Sequence, residues 1–203
     1  MSKKSKEKWQ RRQEQGTVQI APPRELSAIE KICFYIIEWG TYLALFTPLI
    51  VGGNYFFPYV TPKTIFFRIV VDVIFAAYVL LATFNPRYRP RINILNITLT
   101  IFLGILILTS LTGIDFARSF WSVFERMTGL LTVIHLFVFF LVLSSVFQER
   151  KYWERILTVS ILVGVILTLY SFNAKASIAR GGGTVGNVSF MSSYLIFDIF
   201  FGI

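Results

Sequence analysis

Six apolar runs divide this chain, and they fix the solvent in which it folds. Crossing a hydrocarbon core about 30 Å thick takes about 20 apolar residues in a helix. Five runs reach roughly that length, at residues 32–50, 64–84, 92–111, 128–147 and 156–172. A sixth opens at Val188 and reaches Ile203. At about 1.5 Å per residue it extends only ~24 Å, so the expectation is a membrane helix cut short, in the N-terminal part of a longer protein. The expected fold class is all-α: a polytopic membrane helical bundle of five full spans plus a truncated sixth. Residues 1–31 read as a basic cytoplasmic tail and residues 32–203 as a transmembrane domain.

Only 15% of residues are charged, against ~25% in a soluble domain, so each charge inside a run needs a reason. A net charge of +9 would suit nucleic acid, but its placement argues for membrane topology instead. Lys3, Lys4, Lys6, Lys8, Arg11, Arg12, Arg24 and Lys31 precede the first span. Arg87, Arg89 and Arg91 follow the second, and Arg150, Lys151 and Arg155 follow the fourth. The alternate connections hold only Lys63, Arg118, Arg126, Lys175 and Arg180. Cytoplasmic loops carry the excess of Lys and Arg, so the N-terminus is predicted to be cytoplasmic. The implied partner of the basic segments is membrane lipid, not nucleic acid. The first apolar run is full length and no small-residue cleavage site follows it, so no signal cleavage is expected. A lone cysteine, Cys33, excludes an internal disulfide and a cysteine-based metal cluster; it reads as a small buried hydrophobe.

Polar residues inside the runs are the exceptions to explain. Glu38 lies within span one and should face the bundle, meeting Arg68 or a polar cavity. Arg68 and Asp72 stand four apart on one helical face. They read either as an intrahelical ion pair that helps Arg68 enter the membrane or as part of a substrate or proton path. Glu125, Thr128, Thr132 and His135 follow at steps of three, four and three, which is one face of a continuous helix. That stripe either packs between helices or walls a cavity open to the outside. A single histidine without a second ligand makes a poor metal site, and no metal is implied.

Two of the outside connections carry more than topology. In residues 113–129, Phe116, Phe120, Phe124 and Met127 recur at helical spacing, with Arg118, Ser122 and Glu125 opposite. Asp115 is placed to cap the start. This predicts a short interfacial amphipathic helix before span four, with Glu125 and Arg126 at its junction. In residues 173–187, Arg180 is followed by Gly181, Gly182, Gly183, Thr184, Val185, Gly186 and Asn187, and then by an apolar helix. Glycine-freed amides beside an arginine and a helix start suit an anion, and arginine matches phosphate geometry. A flexible exposed loop would use the same residues.

The run Ser119-Phe120-Trp121-Ser122-Val123-Phe124-Glu125-Arg126-Met127-Thr128-Gly129-Leu130, with His135 in the next span, resembles the O-antigen ligase family. So does Arg180, with Gly183-Thr184-Val185-Gly186-Asn187 after it, leading to Ser193-Tyr194-Leu195. Val188 stands where a proline is usual in that family, which bears on the rigidity of the loop. The resemblance covers residues 117 to 203. It implies a membrane glycosyltransferase that takes a glycan from undecaprenyl pyrophosphate on the outer face of the bacterial cytoplasmic membrane. The acceptor would be a lipid, a glycan or a protein, and no cofactor is implied. Arg126 and Arg180 would contact the donor pyrophosphate and Glu125 would orient Arg126. Gly181, Gly182, Gly183, Thr184 and Asn187 would form the turn that lets them approach. The family's catalytic loop is expected beyond Ile203, and His135 is not given that role. Two other readings stay open: a transporter or flippase subunit lined by Glu38, Arg68, Asp72 and His135, and a non-catalytic protein that binds lipid-linked glycan.

Overall fold

The computed structural model describes residues 26–123, 125–173 and 182–202. The basic tail up to residue 25, Phe124, Arg180, Gly181 and Ile203 lie outside them. The regular structure of the described residues is all helical, with no strand. Seven α-helices follow in order: α1 (Ala28–Leu45), α2 (Thr61–Phe84), α3 (Ile94–Thr112), α4 (Phe116–Trp121), α5 (Leu130–Val146), α6 (Arg150–Asn173) and α7 (Val188–Phe201).

Three of these helices are long and apolar enough to cross a membrane: α2, α3 and the part of α6 at Arg150–Phe172. The protein is therefore membrane-associated by its own composition. The other three apolar runs form less. Helix α1 has 18 residues but carries Glu30, Lys31 and Glu38. Helix α5 has 17 and α7 has 14.

Local chemistry sets the boundaries that differ from expectation. Helix α1 begins four residues early because Ser27 and Glu30 form a capping box, in which the Ser27 N–H donates to Glu30 Oε2 at 2.6 Å. It stops at Leu45, ahead of Pro48, because proline lacks an N–H and its ring clashes with the preceding helical turn. A 3-10 turn at Thr47–Leu49 takes over. Helix α6 begins at Arg150 rather than 156, with Arg150 and Glu154 paired at 2.8 Å one turn apart on its exposed end.

The core lies between α1, α2 and the end of α5. Ile37, Ile74 and Leu81 are fully enclosed, with Val142, Val146 and Phe147 against them, and Cys33 is buried there as a small apolar residue. Helix α3 has no buried residue and rests on α5 and α4. The connections 85–93 and 147–149 meet at one end of the bundle. Arg91 donates to Gln148 Oε1, and Gln148 Nε2 donates to the Arg87 carbonyl at 3.0 Å. Phe34, Tyr88, Phe147 and Tyr152 form an aromatic cluster there, with Phe34 and Tyr152 centroids 5.4 Å apart.

The charges within the apolar runs choose other partners than the spacing suggests. Glu38 does not meet Arg68. Its carboxylate accepts from Tyr42 Oη at 2.9 Å and pairs with Arg155 on α6 at 3.4 Å. Arg68 and Asp72 share a face of α2 but bond across to α5 instead of to each other: Arg68 Nη2 donates to Thr132 Oγ1 at 2.7 Å, and Asp72 lies 3.3 Å from His135 Nε2. An interhelical bond joins two elements, which a pair within α2 could not do.

Candidate functional site

The connections opposite the Arg91–Gln148 end converge on the first turns of α2. Pro62 sits in the opening turn of that helix, where its missing N–H costs nothing. Next comes Lys63, half-buried. Its ammonium donates to the carbonyl of Thr184 and lies 5.8 Å from the centroid of the Tyr59 ring. Thr184 is itself buried, and its hydroxyl donates to the Pro48 carbonyl at 2.8 Å. One residue of the glycine-rich turn therefore ties the α6–α7 connection to both ends of the α1–α2 connection.

The turn can do this only with glycine at particular places. Gly183 and Gly186 adopt φ of +52° and +78°, the left-handed region that side chains rarely enter. A Cβ on Gly186 would stand 2.7 Å from Tyr59 Cγ, and one on Gly182 would stand 2.2 Å from the Asn187 nitrogen. Asn187 then caps α7, its Oδ1 accepting from the Ser189 N–H at 2.8 Å. The helix starts at Val188, directly after this cap.

This packing changes what the turn offers. The amides of Val185 and Gly186 both donate to the Gly182 carbonyl, at 3.0 and 3.1 Å. With the Thr184 hydroxyl and carbonyl also engaged, those groups hold the loop in place and are not presented to an anion. The cation that the turn brings to this point is Lys63.

Below Lys63, about 7.5 Å along the helix axis at 1.5 Å per residue, stands Arg68. Its partner Thr132 accepts from Arg68 and donates to the Met127 carbonyl at 2.6 Å. This pins the corner between α4 and α5. The corner corrects the predicted stripe. Asp115 does cap the short helix, Oδ1 accepting from the Arg118 N–H at 2.9 Å, but α4 ends at Trp121. Ser122 follows at φ +64° and Met127 at φ +49°. Glu125 and Thr128 lie in this turn, exposed, so they do not share a helix face with Thr132 and His135. Only Thr132 and His135 face α2. Gly129 closes the corner: a Cβ there would meet the Phe120 carbonyl oxygen at 2.4 Å.

No known protein family, curated protein or solved structure matches this chain.

Of the residues singled out in the sequence, Gly182, Gly183, Thr184 and Asn187 form the docked turn. Glu125 and Arg126 lie exposed on the α4–α5 corner. Arg180 and Gly181 lie outside the described residues. Among the described residues no cluster of His, Cys, Asp or Glu is placed to hold a metal ion. Sequence reasoning missed Pro48, Tyr59 and Lys63. Lys63 did leave a signal, as the only basic residue in the connection between the first two apolar runs.

Proposed function

We propose that the chain is the membrane domain of an O-antigen ligase-like glycosyltransferase. It takes a glycan from undecaprenyl pyrophosphate and passes it to a lipid, glycan or protein acceptor on the outer face of the bacterial cytoplasmic membrane. In this reading α1, α5 and α7 also enter the bilayer, giving five full spans and a sixth. The excess of basic residues before α1 and in the connections 85–93 and 147–155 keeps the N-terminus cytoplasmic.

The observation that carries the proposal is the meeting of three connections at one helix end. The turn containing Gly183, Thr184, Gly186 and Asn187 docks on α2 through Lys63 and on the α1–α2 connection through Pro48. The corner containing Glu125 and Arg126 docks on the same helix through Thr132 and Arg68. Two segments picked out by one family resemblance, more than 50 residues apart from Leu130 to Gly183, thus sit at one end of the bundle beside two cations of α2. Arg126 and Arg180 contact the donor pyrophosphate, Glu125 orients Arg126, and Lys63 holds the glycine-rich turn in place. A charge-assisted contact to phosphate is worth ~1.5–3 kcal/mol. Arg126→Ala and Arg180→Ala should therefore each slow glycan transfer by the full-length protein about tenfold or more. Normal rates in both variants would remove this role.

A transport path through Glu38, Arg68, Asp72 and His135 draws less support. Glu38 is engaged by Arg155 and Tyr42, whereas the other three belong to the α2–α5 contact.

A further inference from the structure

Asp72 is the twelfth residue of the 24-residue helix α2, about midway along a helix of membrane-spanning length. Its side chain is 69% exposed, against 12% for that of His135. A carboxylate at that depth is expensive unless paired, and His135 is the group beside it, with Nε2 at 3.3 Å. The second ring nitrogen fixes what Nε2 can be. His135 Nδ1 lies 2.6 Å from the Leu131 carbonyl oxygen. A carbonyl only accepts, so Nδ1 carries a hydrogen and donates it. A neutral imidazole has one N–H, and here Nδ1 holds it. Nε2 would then be a bare lone pair turned toward a carboxylate oxygen, two acceptors in contact with nothing between them.

We infer that His135 and Asp72 form a proton-binding site, in which a second hydrogen sits on Nε2 and is donated to Asp72 Oδ1. The ring becomes an imidazolium with both nitrogens donating, Nδ1 to Leu131 and Nε2 to Asp72, and Asp72 stays anionic. A hydrogen on Asp72 Oδ1 instead would leave a single ring N–H on His135. On α2, the cation nearest in sequence is Arg68, one turn from Asp72. On α5 the nearest polar group is Thr132, which is bonded to Arg68. Helix α3, packed on α5, carries no charged residue. Helix α4, also against α5, carries Arg118, with Asp115 at its cap, both exposed at the bundle end. The charged residues of α1, packed on α2, are Glu30, Lys31 and Glu38; Glu38 is taken by Arg155 and Tyr42, and Glu30 by its cap. Loss of the proton would set two acceptors against each other at the α2–α5 contact and loosen it.

The chain has one histidine, so a nitrogen-15 spectrum of histidine-labelled protein in lipid nanodiscs reports His135 alone. At pH 7 the expected result is hydrogen on both ring nitrogens, each hydrogen-bonded. Asp72→Asn keeps the shape and supplies an amide N–H to Nε2. That variant should show hydrogen on Nδ1 only. A parent spectrum with a single ring N–H at pH 7 would overturn the assignment. So would two ring N–H groups in both proteins, because Asp72 would then not be what holds the proton.

Discussion

Thr184→Val tests the joint on which the site geometry rests. Valine matches threonine in shape, so the change removes one hydroxyl and little else. That hydroxyl donates to the Pro48 carbonyl at 2.8 Å from a residue only 6% exposed. An intramolecular hydrogen bond contributes about 0.5–1.5 kcal/mol net, and stranding a buried partner costs about 1–3 kcal/mol. The Pro48 residue is half-buried, so water can reach part of it, and the expected loss is ~1–2 kcal/mol. For a chain of this size, 1 kcal/mol corresponds to roughly 2–4 °C in Tm, giving a drop of about 2–8 °C by thermal unfolding in nanodiscs. Hydrogen exchange should rise together in residues 47–50 and 182–187, because one bond serves both segments. Thr184→Ser keeps the donor and should retain most of the protection. If Thr184→Val matches the parent in both Tm and exchange, the two connections are not joined as described.

Gly129→Ala should cost about 3 kcal/mol or more, because the added carbon meets backbone atoms of Phe120 and Ser122 that cannot swing aside. Gly104→Ala in α3 has nothing within 4 Å and should be neutral or stabilising by up to about 1 kcal/mol; comparable Tm losses in the two would refute the corner. At the opposite end, the Lys151 ammonium hydrogen-bonds Glu149 at 2.7 Å and, through that bond and its charge, holds the carboxyl below its ordinary value of 4.5. The folded value is the lower one, so the pair's contribution is complete above the ordinary value and fades as pH falls through the depressed one. Lys151→Met should move the Glu149 titration upward in carbon-13 spectra, and an unmoved midpoint would contradict the pairing.

What the sequence made legible was whatever depended on local pattern. Apolar runs located α2 and α3 to within three residues, because length and hydropathy are local properties. Asp115 and Asn187 were readable as caps for the same reason, although only Asp115 was singled out as one. The capping box at Ser27 and Glu30 was equally readable and passed over, which shifted the start of α1. Partner choice was not legible. Glu38 finds Arg155 from 117 residues away, and Lys63 finds Thr184 from 121 away. Nothing in spacing along one helix encodes such pairs. The stripe from Glu125 to His135 failed because helical spacing assumes a continuous helix, whereas Ser122 and Met127 turn to positive φ to bring α4 down onto α5. The glycine-rich turn was recognised as special for its backbone. The sequence did not reveal that the Val185 and Gly186 amides close the turn on the Gly182 carbonyl, or that Thr184 is spent docking it on Pro48 and Lys63.

The most direct test of the account is the release of undecaprenyl pyrophosphate from a glycan-charged donor. The assay uses proteoliposomes of the full-length protein supplied with a cell-envelope acceptor fraction. The account predicts glycan-dependent release by the parent protein that falls about tenfold or more in Arg126→Ala and in Arg180→Ala. Release no faster than in protein-free liposomes, or release untouched by either substitution, would contradict it.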